Sequence, residues 1–176
     1  MEILGYSLLV LLAAIVALLL VASQRPNRFR TERSLKITAS PETLFPLIND
    51  LREMNTWNPF ALRETGGKAI YSGAANGPGQ KFEFAGQKSG AGTIEIVTAT
   101  PPSKVDLRLI MVKPFKCDNL VEFTLAPDST GTTVTWAMSG TQPLMAKVMT
   151  LFVDCDKMVG KEFETGLANL KKKAER

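Results

Sequence analysis

The chain has 176 residues and no histidine. It therefore lacks the commonest general base, the commonest metal ligand and every nucleophile activated through an imidazole. Its two cysteines, Cys117 and Cys155, lie far apart and match no zinc spacing, so they read as free thiols and call for no metal. Asp154 and Asp156 are a pair of carboxylates on the predicted last helix. Two residues apart on a helix they would not share a face, which argues for solvated charges over acid–base work. The glycine-rich stretch 73–79 holds no Gly-Lys-Ser/Thr and opens no helical pattern, so it is not a phosphate loop. Nothing here calls for a cofactor.

What remains is a large set of apolar and aromatic side chains at regular spacing, and the elements that would position them. Residues 32–39 alternate as a strand. Ser40, Pro41 and Glu42 then read as a helix cap, a first-position proline and an acidic first turn, with Leu44, Phe45, Leu47 and Ile48 on the apolar side. A second short helix is expected over 54–60, ending at Pro59. The period then changes to two, with strands expected at 69–73, 80–85, 92–99, 105–112, 119–126 and 132–139, separated by Gly, Pro, Asn and Asp turns. From 144 to 173 apolar residues recur at steps of three and four (Val148, Phe152, Cys155, Val159, Phe163, Leu167, Leu170), which predicts one long helix. Gly160 and Gly166 inside it weaken a helix, so close packing against the sheet is expected there.

The architecture is therefore α+β: a curved antiparallel seven-stranded sheet around a long C-terminal helix, with two short helices after the first strand. Its natural ligand site is the space between sheet and helix. Alternation places Trp136 and Met138 there with Phe123, Leu109, Met111, Phe82 and Phe84. Trp57, Phe60, Met149, Phe152 and Phe163 face them from the helical segments.

The N-terminus stands apart. Residues 3–22 are twenty in succession without a charge, about 30 Å as a helix and enough for a bilayer's hydrocarbon layer. Glu2 where a signal peptide would be basic, and the length of the run, favour an uncleaved anchor over residues 1–23. The net charge of +4 is concentrated just after it, where Arg25, Arg28, Arg30 and Arg33 face a single acid, Glu32. Residues 24–34 thus read as a basic juxtamembrane linker whose arginines meet anionic lipid at the membrane surface. Because the positive residues follow the span, the domain at 35–173 is expected on the cytoplasmic side of a cell membrane. Its near-neutral balance argues against a nucleic-acid partner.

The sequence also resembles a known family. Ile37-Thr38-Ala39-Ser40-Pro41-Glu42 with Phe45, Trp57-Asn58-Pro59-Phe60, Gly131-Thr132-Thr133-Val134-Thr135-Trp136, and Val159-Gly160-Lys161-Glu162-Phe163-Glu164 together are similar to the START-like, helix-grip superfamily, in its polyketide cyclase/dehydrase-type branch of SRPBCC proteins. The likeness covers roughly 35–173. It implies a fold and a cavity, with no catalytic residue to carry over, because members include lipid carriers, hormone receptors and aromatic cyclases. Taken together, these readings favour a membrane-anchored monomer that binds a lipid or other hydrophobic small molecule. The alternatives are a cyclase/dehydrase-type enzyme and an interaction module whose groove is only a core.

Overall fold

In the computed structural model, residues 2–64 and 66–176 are described, and the side chains of 6, 7 and 9–23 within the first helix. That helix, α1, runs Glu2–Ser23. The expected anchor at 1–23 thus falls partly outside the described residues. Among the described residues, no helix is long and apolar enough to cross a membrane.

Only residues 24–27 separate α1 from the first strand, β1 (Arg28–Ile37). The strand begins four residues earlier than its alternation suggested, because its pairing with the last strand runs from Arg28 opposite Thr141 to Ile37 opposite Thr132. Most of the expected 24–34 linker is therefore sheet. Seven antiparallel strands follow the order β1-β7-β6-β5-β4-β3-β2, with β2 Lys68–Gly73, β3 Gln80–Ala85, β4 Ala91–Thr100, β5 Lys104–Lys113, β6 Cys117–Asp128 and β7 Gly131–Thr141.

Between β1 and β2 the chain forms α2 (Pro41–Ile48), α3 (Leu51–Met54) and α4 (Pro59–Leu62). The Ser40 hydroxyl accepts from the Thr43 amide at 3.4 Å and caps α2. Instead of one helix over 54–60 there are two single turns on either side of Trp57. Proline disfavours helix in the residue before it and suits a first helical position, so Pro59 starts α4, with Asn58 Oδ1 accepting from the Phe60 amide at 3.1 Å.

The long C-terminal helix is also divided, into α5 (Leu144–Met149) and α6 (Cys155–Ala174). Asp154 caps α6 by accepting the Lys157 amide at 3.0 Å, a local bond that competes with continuing the helix from α5. α6 packs on β1 and β7, and its glycines sit where the contact is tightest. A Cβ on Gly166 would lie 2.5 Å from Trp136 Cζ3 and 3.0 Å from Pro59 Cδ, and one on Gly160 would meet the Arg33 guanidinium.

Candidate functional site

The inward-facing side chains of the sheet fall into two zones. At one end they are sealed. Ile37, Leu107, Phe123 and Val134 are fully buried in one cluster with Leu44 and Ile48 of α2 and Leu170 of α6. Trp136 lies at the border of this zone, with its ring 4.3 Å from that of Phe163 and nearly parallel to it. Trp57 meets Trp136 and Phe123 edge-on at 5.8 and 6.0 Å, and Phe60 meets Trp136 at 6.4 Å. Trp57 is fixed from both sides: its indole donates to the Leu47 carbonyl at 2.9 Å, and its own carbonyl accepts from Asn169 Nδ2 at 3.1 Å. Trp57, Phe123, Trp136 and Phe163 were expected to line a groove, and the structure makes them packed core. Large aromatic rings at one level of a bent sheet fill the space they enclose.

At the other end the inner face is only half covered. Phe82, Phe84, Ile94, Leu109, Met111 and Met138 are all partly buried there. Phe82 stacks on Phe84 at 5.9 Å and lies 4.7 Å from Tyr71, whose hydroxyl accepts from Asn55 Nδ2 at 2.8 Å. Gly92 leaves room for the tip of Phe84, which a Cβ there would approach to 3.1 Å. Phe60 is half-buried between the two zones. Met149 and Phe152 do not join them. They are exposed on and just after α5, Phe152 at 73%.

Among the described residues, two buried polar atoms on the inner face have no hydrogen-bond partner, Trp136 Nε1 and Asn119 Oδ1. Asn119 alternates with Val121 and Phe123 and so shares their face, but its amide nitrogen finds only two sulfurs, Cys117 Sγ at 3.4 Å and Met138 Sδ at 3.7 Å. An unsatisfied buried donor or acceptor costs about 1–3 kcal/mol, so this pair is a standing reason to take up a polar atom of a ligand. Sequence reasoning did not single out Asn119. The signal was present, since a polar residue stands at an inward position of an otherwise apolar strand.

The chemistry on offer is one N–H donor and one carbonyl acceptor in an apolar surface. Burial raises the pKa of the Cys117 thiol, which keeps it protonated and weakly nucleophilic at neutral pH. Asp156 is held low, mainly by Arg33 at 3.0 Å, and Asp154 is a helix cap, so neither belongs to this zone. Among the described residues no cluster could hold a metal ion. Glu64 has a positioning role. Its carboxylate accepts from the Ser89, Lys88 and Gln87 amides at 3.0, 2.9 and 3.2 Å, which ties the β3–β4 turn down beside α4 and keeps its pKa low.

The four arginines expected at a membrane surface diverge. Arg30 pairs with Glu32 and Glu122, and Arg33 with Asp156 and Glu164, so both hold the protein's own carboxylates. Arg25 and Arg28 are exposed. A recess of about 470 Å3 is lined by Arg28, Val97, Arg108, Leu120 and Ser139 among others. The residues named alternate with the buried set and face outward, while the same recess also reaches Phe29, Asn119 and Gly140 of the inward register.

A family profile described as polyketide cyclase / dehydrase and lipid transport matches residues 28–175, from the first residue of β1 to the end of α6. The chain belongs to this family. No curated protein sequence matches it. Among solved structures, the Mesorhizobium loti protein MLL2253 is 17% identical with a TM-score of 0.61, covering 82% of this chain and 95% of its own. The KanY protein is 18% identical at 0.62, covering 86% and 100%. The di-domain ARO/CYC StfQ from the steffimycin biosynthetic pathway is 10% identical at 0.60, covering 84% of this chain and 51% of its own. At these identities the likeness establishes the helix-grip fold.

Proposed function

We propose that this family member is a membrane-tethered module that binds a lipid or other hydrophobic small molecule at the half-covered end of its sheet. Carrying the reading is the coincidence there of an incompletely covered apolar floor (Phe82, Phe84, Leu109, Met111, Met138) with the unpartnered Asn119 Oδ1. The ligand it favours is mainly apolar and bears a hydroxyl or amide that can donate to that oxygen. A test is methyl NMR of the full chain in nanodiscs, with a long-chain fatty acid and a polycyclic phenol as probes. Met111 and Met138 signals should shift while that of the fully buried Met54 stays in place. If neither probe moves Met111 or Met138, the reading fails.

The tether rests on α1. Its described large side chains from Tyr6 to Val21 are exposed almost all round, an arrangement suited to lipid and not to water. Those side chains alone fall short of a full span, and the uncharged sequence from Ile3 to Ala22 brings the apolar length to about 30 Å. The arginines following α1 support a cytoplasmic orientation of the domain. An alkaline phosphatase fused to the C-terminus should therefore be inactive, and strong activity would reverse the orientation.

A cyclase-type enzyme is the second reading, favoured by the family's description and by the ARO/CYC neighbour. It requires turnover by a zone whose polar groups include the Asn119 amide, the Cys117 thiol and the Tyr71 hydroxyl, with the Trp136 N–H at its border. Binding of an aromatic polyketide without conversion would separate the two readings.

A further inference from the structure

α5 is built inside out. A helix on a protein surface in water turns its apolar side chains inward and its charges outward. In Leu-Met-Ala-Lys-Val-Met the charge is what is buried. Lys147 is 5% exposed, and its ammonium donates to Asn27 Oδ1 at 2.6 Å. Met145 is 70% exposed, and Leu144 and Met149 are also exposed. The turn that follows continues the pattern with Phe152 and Val153.

The position of this face indicates what covers it. α5 packs against α1. The joint between α1 and the domain is short and fastened at this point, because the Asn27 carbonyl accepts from the Gln142 amide at 2.8 Å while its side chain holds Lys147. Ala22, in the last turn of α1, is fully buried. The inverted helix is thus fixed beside the end of α1 from which the domain emerges, and Arg25 and Arg28 stand exposed at the same joint.

We propose that α5 and the 150–153 turn form a second membrane element, lying in the bilayer interface with Met145, Met149, Phe152 and Val153 among the acyl chains. This proposal rests on the reading that α1 sits in a bilayer. A helix lying in the interface buries its apolar face about 5–10 Å deep, and Arg25 and Arg28 would then meet anionic headgroups. Since a short turn joins α5 to α6, which packs on β1 and β7, the insertion holds the binding module against the membrane instead of leaving it to swing on a linker.

The experiment uses the full chain in vesicles of phosphatidylcholine and phosphatidylglycerol. Cys117→Ser and Cys155→Ser are combined with a single dye-labelled cysteine at Phe152→Cys, Leu12→Cys or Thr124→Cys, the last on an exposed strand position. The environment-sensitive dye at 152 should shift to the blue, lose most of its emission to brominated lipid and resist aqueous iodide, and the dye at 124 should do the opposite. If the dye at 12 is quenched by brominated lipid while that at 152 is open to iodide, α1 is anchored and the α5 proposal alone is overturned. Protection of 152 from both quenchers would mean that another protein copy covers the face, which also overturns it. If brominated lipid reaches neither 12 nor 152, the bilayer reading of α1 fails and takes this proposal with it. A photoreactive benzophenone residue at 145 or 152 repeats the comparison with both native cysteines kept. Crosslinks to lipid support insertion, and crosslinks to a second chain contradict it.

Discussion

Phe84 and Phe123 are the same residue type on the same face of one sheet, yet their surroundings differ. Phe123 is fully buried among Trp57, Trp136 and the sealed core, whereas Phe84 is half-buried on the open floor. Phe123→Ala should cost about 3–5 kcal/mol in chemical denaturation, because a cavity replaces its contacts. Phe84→Ala should cost under about 2 kcal/mol and weaken probe binding. Asn119→Leu removes an acceptor that has no partner, so it should leave stability within about 1 kcal/mol of the parent or raise it. It should also weaken a hydroxyl-bearing probe more than a plain hydrocarbon, read by calorimetric titration. The sequence identified these faces and not their depth. Alternation shows which side of a strand a residue occupies, while sealing depends on which helix lies over it. For that reason Trp57 and Phe163, expected in a groove, belong to the core.

Among the elements, strands were the most legible, and the expected 80–85 coincides with β3 (Gln80–Ala85). Their alternation is a direct consequence of having one buried face. The apolar stripe passes through Phe152 and Cys155 and so predicts one continuous C-terminal helix. The Asp154 cap divides it, and that local bond is not revealed by the helical period. The glycine positions were legible as close contacts. Gly166→Ala would push a methyl into Trp136 and Pro59, so a loss of about 1–3 kcal/mol is expected in thermal or chemical unfolding despite Ala's better helix propensity. The β6–β7 hairpin is tied to β1 by Lys36 and Asp128 at 2.7 Å. Lys36 first, then Thr130, lower the Asp128 carboxyl to about 2. A carboxyl depressed in the folded state stabilises above its unfolded pKa and loses that contribution as pH falls toward the folded value. Stability should therefore decline between about pH 4 and about pH 2, and Asp128→Asn should flatten that part of the profile in pH-dependent denaturation.

For the whole molecule, the account joins an apolar N-terminal helix, a rigid joint and a sheet whose inner face is sealed at one end and half covered at the other. Sequence periodicity could suggest the layers and the family likeness their order, but which inward residues are sealed and which are half covered depends on the helices packed over them. Whether the half-covered zone holds an apolar ligand can be read by native mass spectrometry of the full chain released from membranes. The wild-type protein should carry the added mass of one small apolar molecule, and that mass should be lost or greatly reduced in Phe84→Ala while the protein remains folded. Wild-type protein that is released without any added mass, and that takes up neither the fatty acid nor the phenol when they are supplied, would contradict the account.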